Sequence, residues 1–311
     1  MDSVISTEHL SRNYGKVEAV HDLTLEVPRG SFYALLGPNG AGKTTTIHTL
    51  MNLREPSSGL AKILGVDSKR LGPAQLAHIG YVSENQKLPG WMTVEHLLAF
   101  CKPLYPTWDD ALCNKLIRTF DLPLDRKIKA LSRGMRLKAA MIAALAYHPS
   151  LLVLDEPFSG LDVSVREELT EGMLELSEQS DWTLFISSHD LEDIENLVDH
   201  IGFIDKGKLL LSDTLDQLQS RFREVEITLP GAQSIPSEWP KDWLAPQAAG
   251  NVIRYIDSCY CEGKSEAQTK QIFPSATGLS LSPMSLRSIF ITLTRQRKVA
   301  AESRSRNHDH S

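Results

Sequence analysis

Eight consecutive residues, Gly37-Pro38-Asn39-Gly40-Ala41-Gly42-Lys43-Thr44, limit what this chain can fold into more than any other stretch. They satisfy the pattern GxxxxGK[ST], they follow the apolar run SFYALL, and a helical pattern begins at Lys43. In that setting the pattern encodes a phosphate-binding loop between a buried strand and a helix. Glycines let the backbone wrap closely around an anion with its N–H groups turned inward. The helix N-terminus adds partial positive charge facing the anion. Lys43 is expected to reach the β- and γ-phosphates. The Thr44 hydroxyl is expected to bind Mg²⁺, with Thr45 on the α/β-phosphate side. A chance glycine-rich turn would lack both flanks.

The rest of the pattern agrees with an α/β chain of the P-loop NTPase type. Short runs within residues 2–36 (VISTEHL, VEAVHDLTLEV, SFYALLG) read as strands. LLVL at 151–154 and TLFIS at 183–187 are continuously apolar, as strands buried on both faces of a parallel sheet are. Strand and helix patterns alternate as far as Asp213, which indicates an α/β domain over 1–213. Residues 93–147 are mostly helical in pattern, so a helical insert is expected over about 91–147. Beyond 214 the composition shifts. VEITL (225–229) and NVIRYID (251–257) read as strands, and Leu286, Ile289, Phe290 and Leu293 form an apolar helix face behind a Ser285 cap. A small α+β accessory domain is therefore expected over 214–298. The tail at 299–311 has almost nothing to bury and reads as disordered.

A formal charge of −6 with no dense Lys/Arg block argues against a nucleic-acid partner. The N-terminus has no signal-peptide pattern. The longest apolar run, Ala139 to Tyr147, falls far short of the roughly 20 residues a membrane span requires. The four cysteines lack CxxC spacing and a matching His pattern, so neither a zinc site nor a disulfide framework is expected, and a reducing cytoplasm fits. Cys259-Tyr260-Cys261 reads as an alternating strand.

Leu151-Leu152-Val153-Leu154-Asp155-Glu156 is an apolar strand ending in two carboxylates. Asp155 is placed to hold Mg²⁺ through water. Glu156 is the candidate general base for an attacking water, a role worth about 10²–10⁴-fold. Three further segments narrow the reading: Leu131-Ser132-Arg133-Gly134-Met135, twenty residues upstream of that strand, then Ser159-Gly160-Leu161-Asp162, then Ser188-His189-Asp190. With these the sequence resembles the ABC ATPase family, closely over about residues 1–213, and specifically the ATPases of ABC-2 type exporters. The closing SLRSIFITLTR resembles the end of that subfamily.

The resemblance implies an ABC ATPase fold with a helical subdomain. It also implies two ATP molecules held head-to-tail between two such subunits. Ser132 and Gly134, in a loop usually written LSGGQ, would bind the γ-phosphate of the ATP held by the other subunit. Arg133 and Met135 depart from that form. Asp162 matches the D-loop that couples the two sites, His189 the switch histidine that touches the γ-phosphate, and Tyr14 the aromatic that stacks on adenine. Glu84 stands where the family often has a metal-sensing glutamine, and a metal-ligand role is expected for it. The region of about 91–125, with Trp91, Phe100, Tyr105 and Trp108, corresponds to the face that docks on the membrane subunit.

Taken together, these features predict an ATP- and Mg²⁺-dependent ATPase that drives separate transmembrane permease subunits, with export as the expected direction. It would pair with a second ATPase subunit, identical or not, and sit on the inner face of the cell membrane through the permease. Two alternatives stand beside it: a soluble, non-transport ABC ATPase, and a catalytically weak partner in a heterodimer.

Overall fold

The structure, a computed structural model, describes residues 2–84, 86–177, 182–232, 234–236 and 239–296. The tail expected to be disordered lies outside these. The chain divides into two compact units, Met1–Ser212 and Asp213–Ser311.

In the first unit β1 (Ser3–Tyr14) and β2 (Val17–Pro28) form a long hairpin, turning through Gly15 at φ +60°. After β3 (Phe32–Leu36) and α1 (Lys43–Leu50), β4 (Ser58–Ile63) and β5 (Val66–Asp67) complete an antiparallel sheet of order β2-β1-β4-β5. The short α2 (Pro73–Leu76) leads to β6 (Ile79–Ser83). The expected helical insert is then built from α3 (Val94–Cys101), α4 (Asp110–Thr119) and α5 (Arg133–Leu145). The chain continues through β7 (Leu151–Asp155), α6 (Val163–Ser177), β8 (Thr183–Ser188), β9 (His200–Asp205) and β10 (Lys208–Thr214).

The second sheet runs β10-β9-β3-β8-β7-β6. Its central strands pair in parallel, and every residue of β3, β7 and β8 is buried. This explains why LLVL and TLFIS show no polar alternation: both faces are covered. Leu10, Leu23, Leu25 and Val27 of the antiparallel sheet join Leu35, Val153 and Phe185 of the parallel one and Ile47 and Leu50 of α1 in a single core. Each such side chain stabilises the fold by roughly 1.5–3 kcal/mol when fully buried.

Register places the chemistry. Leu36 of β3 sits opposite Ser188 of β8, Ser187 opposite Asp155 of β7, and Asp155 opposite Ser83 of β6. All four strands therefore end in one row, and the loops that follow share one crevice, where ligands bind in open parallel sheets.

In the second unit, α7 (Leu215–Arg221), β11 (Arg223–Thr228), β12 (Trp243–Ala249), β13 (Val252–Asp257), α8 (Lys264–Ile272) and β14 (Gly278–Pro283) precede a helix over 286–296. The antiparallel order is β12-β13-β11-β14. Val225, Ile227, Ile253 and Tyr255 bury one face with Trp243 and Phe273. The Trp243 and Tyr255 rings stack with centroids 4.1 Å apart. Ser285 caps the last helix as expected, its Oγ accepting the Ser288 N–H at 3.2 Å.

Cys259-Tyr260-Cys261 is not a strand. The Asp257 carboxylate accepts the Cys259 N–H at 2.9 Å, and the Cys261 carbonyl accepts from Lys264 and Ser265. These bonds turn the chain toward α8 instead of extending β13. All four cysteines are free thiols.

Candidate functional site

The phosphate-type loop joins β3 to α1, and packing dictates two of its glycines. A Cβ on Gly37 would stand 2.2 Å from the Ile204 carbonyl oxygen. Gly42 caps α1 at φ +109°, where a Cβ would meet the Ala19 carbonyl oxygen at 2.5 Å. The first-turn N–H groups of a helix have no partner within it, and in α1 they belong to Lys43, Thr44 and Thr45, which line the crevice. The β9–β10 turn braces the loop, with the Gly207 N–H donating to the Ala41 carbonyl at 2.8 Å.

Lys43 is buried at the centre of the loop. Its Nζ donates to the carbonyls of Gly37 (2.5 Å) and Pro38 (3.1 Å) and lies 3.0 Å from Glu156 Oε1. Glu156 reaches it because its backbone adopts the left-handed conformation, φ +51°, at the end of β7. That geometry costs a non-glycine residue about 1–2 kcal/mol. Ser187 stabilises it, accepting the Glu156 N–H at Oγ (3.0 Å) and at its carbonyl (3.2 Å). The other carboxylate oxygen of Glu156, Oε2, is 2.8 Å from His189 Nδ1.

Asp155 receives two hydroxyl donors at Oδ1, Thr44 Oγ1 at 3.0 Å and Ser187 Oγ at 2.8 Å. Burial pushes its carboxyl above the usual range, and these two hydrogen bonds pull part of the way back. A buried, partly compensated carboxylate beside a hydroxyl is the all-oxygen donor set that Mg²⁺ prefers, so these residues fit that ion.

Tyr14 and Glu84 line one pocket of about 320 Å³ with Asn39–Thr45 and Glu156. Tyr14 is 42% exposed, and the Arg12 guanidinium covers it 4.8 Å from the ring centroid. The Glu84 N–H donates to the Asp155 carbonyl at 2.9 Å, while its Oε1 pairs with Arg133 Nη2 at 2.8 Å. Thus Tyr14, the loop residues, Glu84 and Glu156 converge, with Asp155 and His189 bonded to that group.

Ser132, Gly134 and Asp162 do not line this pocket. Ser132 caps α5, accepting the Met135 N–H at 3.2 Å, and Gly134 lets α5 approach α6, since a Cβ there would stand 2.9 Å from Val165 Cγ1. Asp162 precedes α6, its carbonyl accepting from Arg166.

Sequence reasoning passed over Ser187 and Arg12. Ser187 was reachable, because it lies two residues before His189 at a strand end, where alternate side chains share a face. Arg12 carried no such signal.

The ABC transporter family model matches residues 20–159. The bacitracin transport ATP-binding protein BcrA of Bacillus licheniformis is 36% identical over 230 residues, 72% of this chain and 74% of that one. The ABC transporter ATP-binding protein YtrB of Bacillus subtilis (strain 168) is 28% identical, covering 72% of this chain and 76% of that one. A solved ATP-binding subunit of an ABC transporter superimposes with TM-score 0.63 at 29% identity, over 70% of this chain and 92% of the other. A relative matched across about three quarters of its own length at 36% identity, on the same fold, places the chain in the ABC transporter family, as one of its ATP-binding ATPase subunits.

Proposed function

We propose that this chain binds Mg-ATP between Tyr14 and the 37–45 loop and hydrolyses it with Glu156 as general base. One observation carries the reading: Glu156 is held on one side by Lys43 and on the other by His189, beside Asp155 and Thr44. The phosphates would displace the Gly37 and Pro38 carbonyls from Lys43, leaving the ammonium to bind the β- and γ-oxygens. Glu156, freed from Lys43, would then accept a proton from the attacking water, with His189 holding its other oxygen. Thr44 and Asp155 are the residues that would hold Mg²⁺, which neutralises charge on the phosphate oxygens when bound. Tyr14 offers adenine the ring face that Arg12 leaves open.

The pocket lacks any contribution from the Ser132 loop. We read this as the geometry of a half-site completed by a second ATPase subunit, whose Ser132 and Gly134 N–H groups would face the γ-phosphate and whose Asp162 would couple the sites. Closure on ATP and release after hydrolysis would move separate permease subunits. Trp91 and Phe100 are exposed on the expected docking face, whereas Tyr105 stacks on Tyr147 and belongs to the packing. No helix among the described residues is long and apolar enough to cross a membrane, consistent with attachment to the inner face through a permease. Export is the direction we assign, from the resemblance to ABC-2 exporters. We read 214–298 as an accessory domain with its own aromatic core attached to the 1–213 ATPase.

The test is Glu156→Gln. Steady-state turnover is expected to fall about 10²–10⁴-fold while nucleotide binding persists. Turnover at the wild-type rate would reject Glu156 as the base.

A further inference from the structure

Two departures from the family pattern meet in space. Arg133 stands where the usual loop has glycine, and Glu84 where glutamine is frequent. Their side chains pair at 2.8 Å across 49 residues of sequence. The same guanidinium also lies against the loop after β7: a Cβ on Gly160 would stand 3.2 Å from Arg133 Nη1, and Gly160 already requires φ +66°. Glu84 in turn donates its N–H to the Asp155 carbonyl at 2.9 Å. One side chain at the start of α5 thereby joins the loop after β6 and the loop after β7, both of which border the pocket carboxylates.

The charges balance only as a pair. Glu84 without Arg133 would add a third carboxylate beside Asp155 and Glu156, which like-charge repulsion disfavours. Arg133 without Glu84 would place an unpaired cation in a loop that the resemblance aims at a phosphate on another subunit. We propose that Arg133 is a positioning residue for ATP hydrolysis. Acting through Glu84, it sets the loop after β6 beside Asp155, and it engages the Glu84 carboxylate so that Glu84 serves as its partner and not as a metal ligand. This rests on the ATPase reading above.

Folding stability alone would not reveal the role. The side chains of Arg133 and Glu84 are 45% and 32% exposed. An exposed pair of this kind shifts an equilibrium by about fivefold at most. The experiment uses the full chain with Glu84→Gln, Arg133→Gln and the double variant. Each single change is expected to lower kcat by up to about fivefold with KM for ATP within about twofold, and the double change to be no worse than either, because the residues act as a unit. A double variant down about twenty-fivefold, the product of two independent fivefold effects, would overturn the proposal. So would wild-type kcat in Arg133→Gln, or a raised Mg²⁺ requirement confined to Glu84→Gln. Hydrogen exchange gives an arm independent of turnover. In Arg133→Gln, peptides covering Glu84 should exchange faster than in the wild type, and unchanged exchange would overturn the tether. A wild-type chain without ATPase whose Glu84 peptides still respond to Arg133→Gln would instead refute the ATPase reading and support the tether.

Discussion

Two glycine-containing loops at helix N-termini do different work in this molecule. In the 37–45 loop the backbone is forced into its shape by the rest of the fold: Gly42 sits at φ +109° against a carbonyl oxygen, and Lys43 is tied to Glu156. In the 131–135 loop, Ser132 caps α5, and Gly134 is a helical residue whose Cβ would meet the Val165 side chain first. The first loop is finished within the chain. The second only opens a helix, and on the reading proposed above its N–H groups would serve a nucleotide held by a second subunit.

Lys43 separates the two loops most sharply. Lys43→Ala removes the phosphate ligand and leaves Glu156 near-buried and without its cation, so nucleotide binding should fall about a hundredfold or more in equilibrium dialysis. Binding retained at wild-type strength would remove the first loop's claim to the phosphates. Matched glycine substitutions come next. Gly42→Ala meets a backbone oxygen at positive φ and should cost more than about 3 kcal/mol in chemical denaturation. Gly134→Ala meets a side chain and no backbone atom among its nearest neighbours, and should cost about 1 kcal/mol. Equal costs would erase the distinction drawn between the loops. Ser132→Ala should cost about 1 kcal/mol, the usual loss of an N-cap. It should leave nucleotide binding by the isolated chain intact while lowering turnover.

The smallest effect concerns Asp155. Its carboxyl is raised by burial, so the charged form is disfavoured in the folded state. Such a group contributes stability below its unfolded pKa and loses that contribution as pH rises through the folded one. Asp155→Asn should therefore raise the melting temperature at about neutral pH, and the gain should shrink as the pH falls into the carboxylate range. A gain that instead grows in acid would contradict the burial argument.

Much of the first unit was legible because its chemistry is local in sequence. A phosphate loop, an apolar strand ending in carboxylates and a histidine after another such strand are each contiguous, and parallel register then aligns them. The Arg133–Glu84 pair was not legible, since only folding joins residues 49 positions apart. In the second unit β11, β13 and the Ser285-capped helix follow the sequence pattern, whereas β12, α8 and β14 carry little signal. β12 contains Pro246 and a register shift, tolerable because it lies at a sheet edge, and β14 is a serine-rich edge strand. In α8 the buried residues are Ser265 and Thr269, so no apolar stripe marks the helix. Edge strands and polar helices carry weak patterns because water, not the core, covers most of their surface.

We propose that each site is completed by a second copy of this chain. It is tested most directly by the solution mass of the Glu156→Gln chain with and without Mg-ATP. A monomer is expected without nucleotide and a dimer with it, because slowed turnover holds the closed state. A chain that binds Mg-ATP and stays monomeric at every concentration would contradict pairing between identical copies.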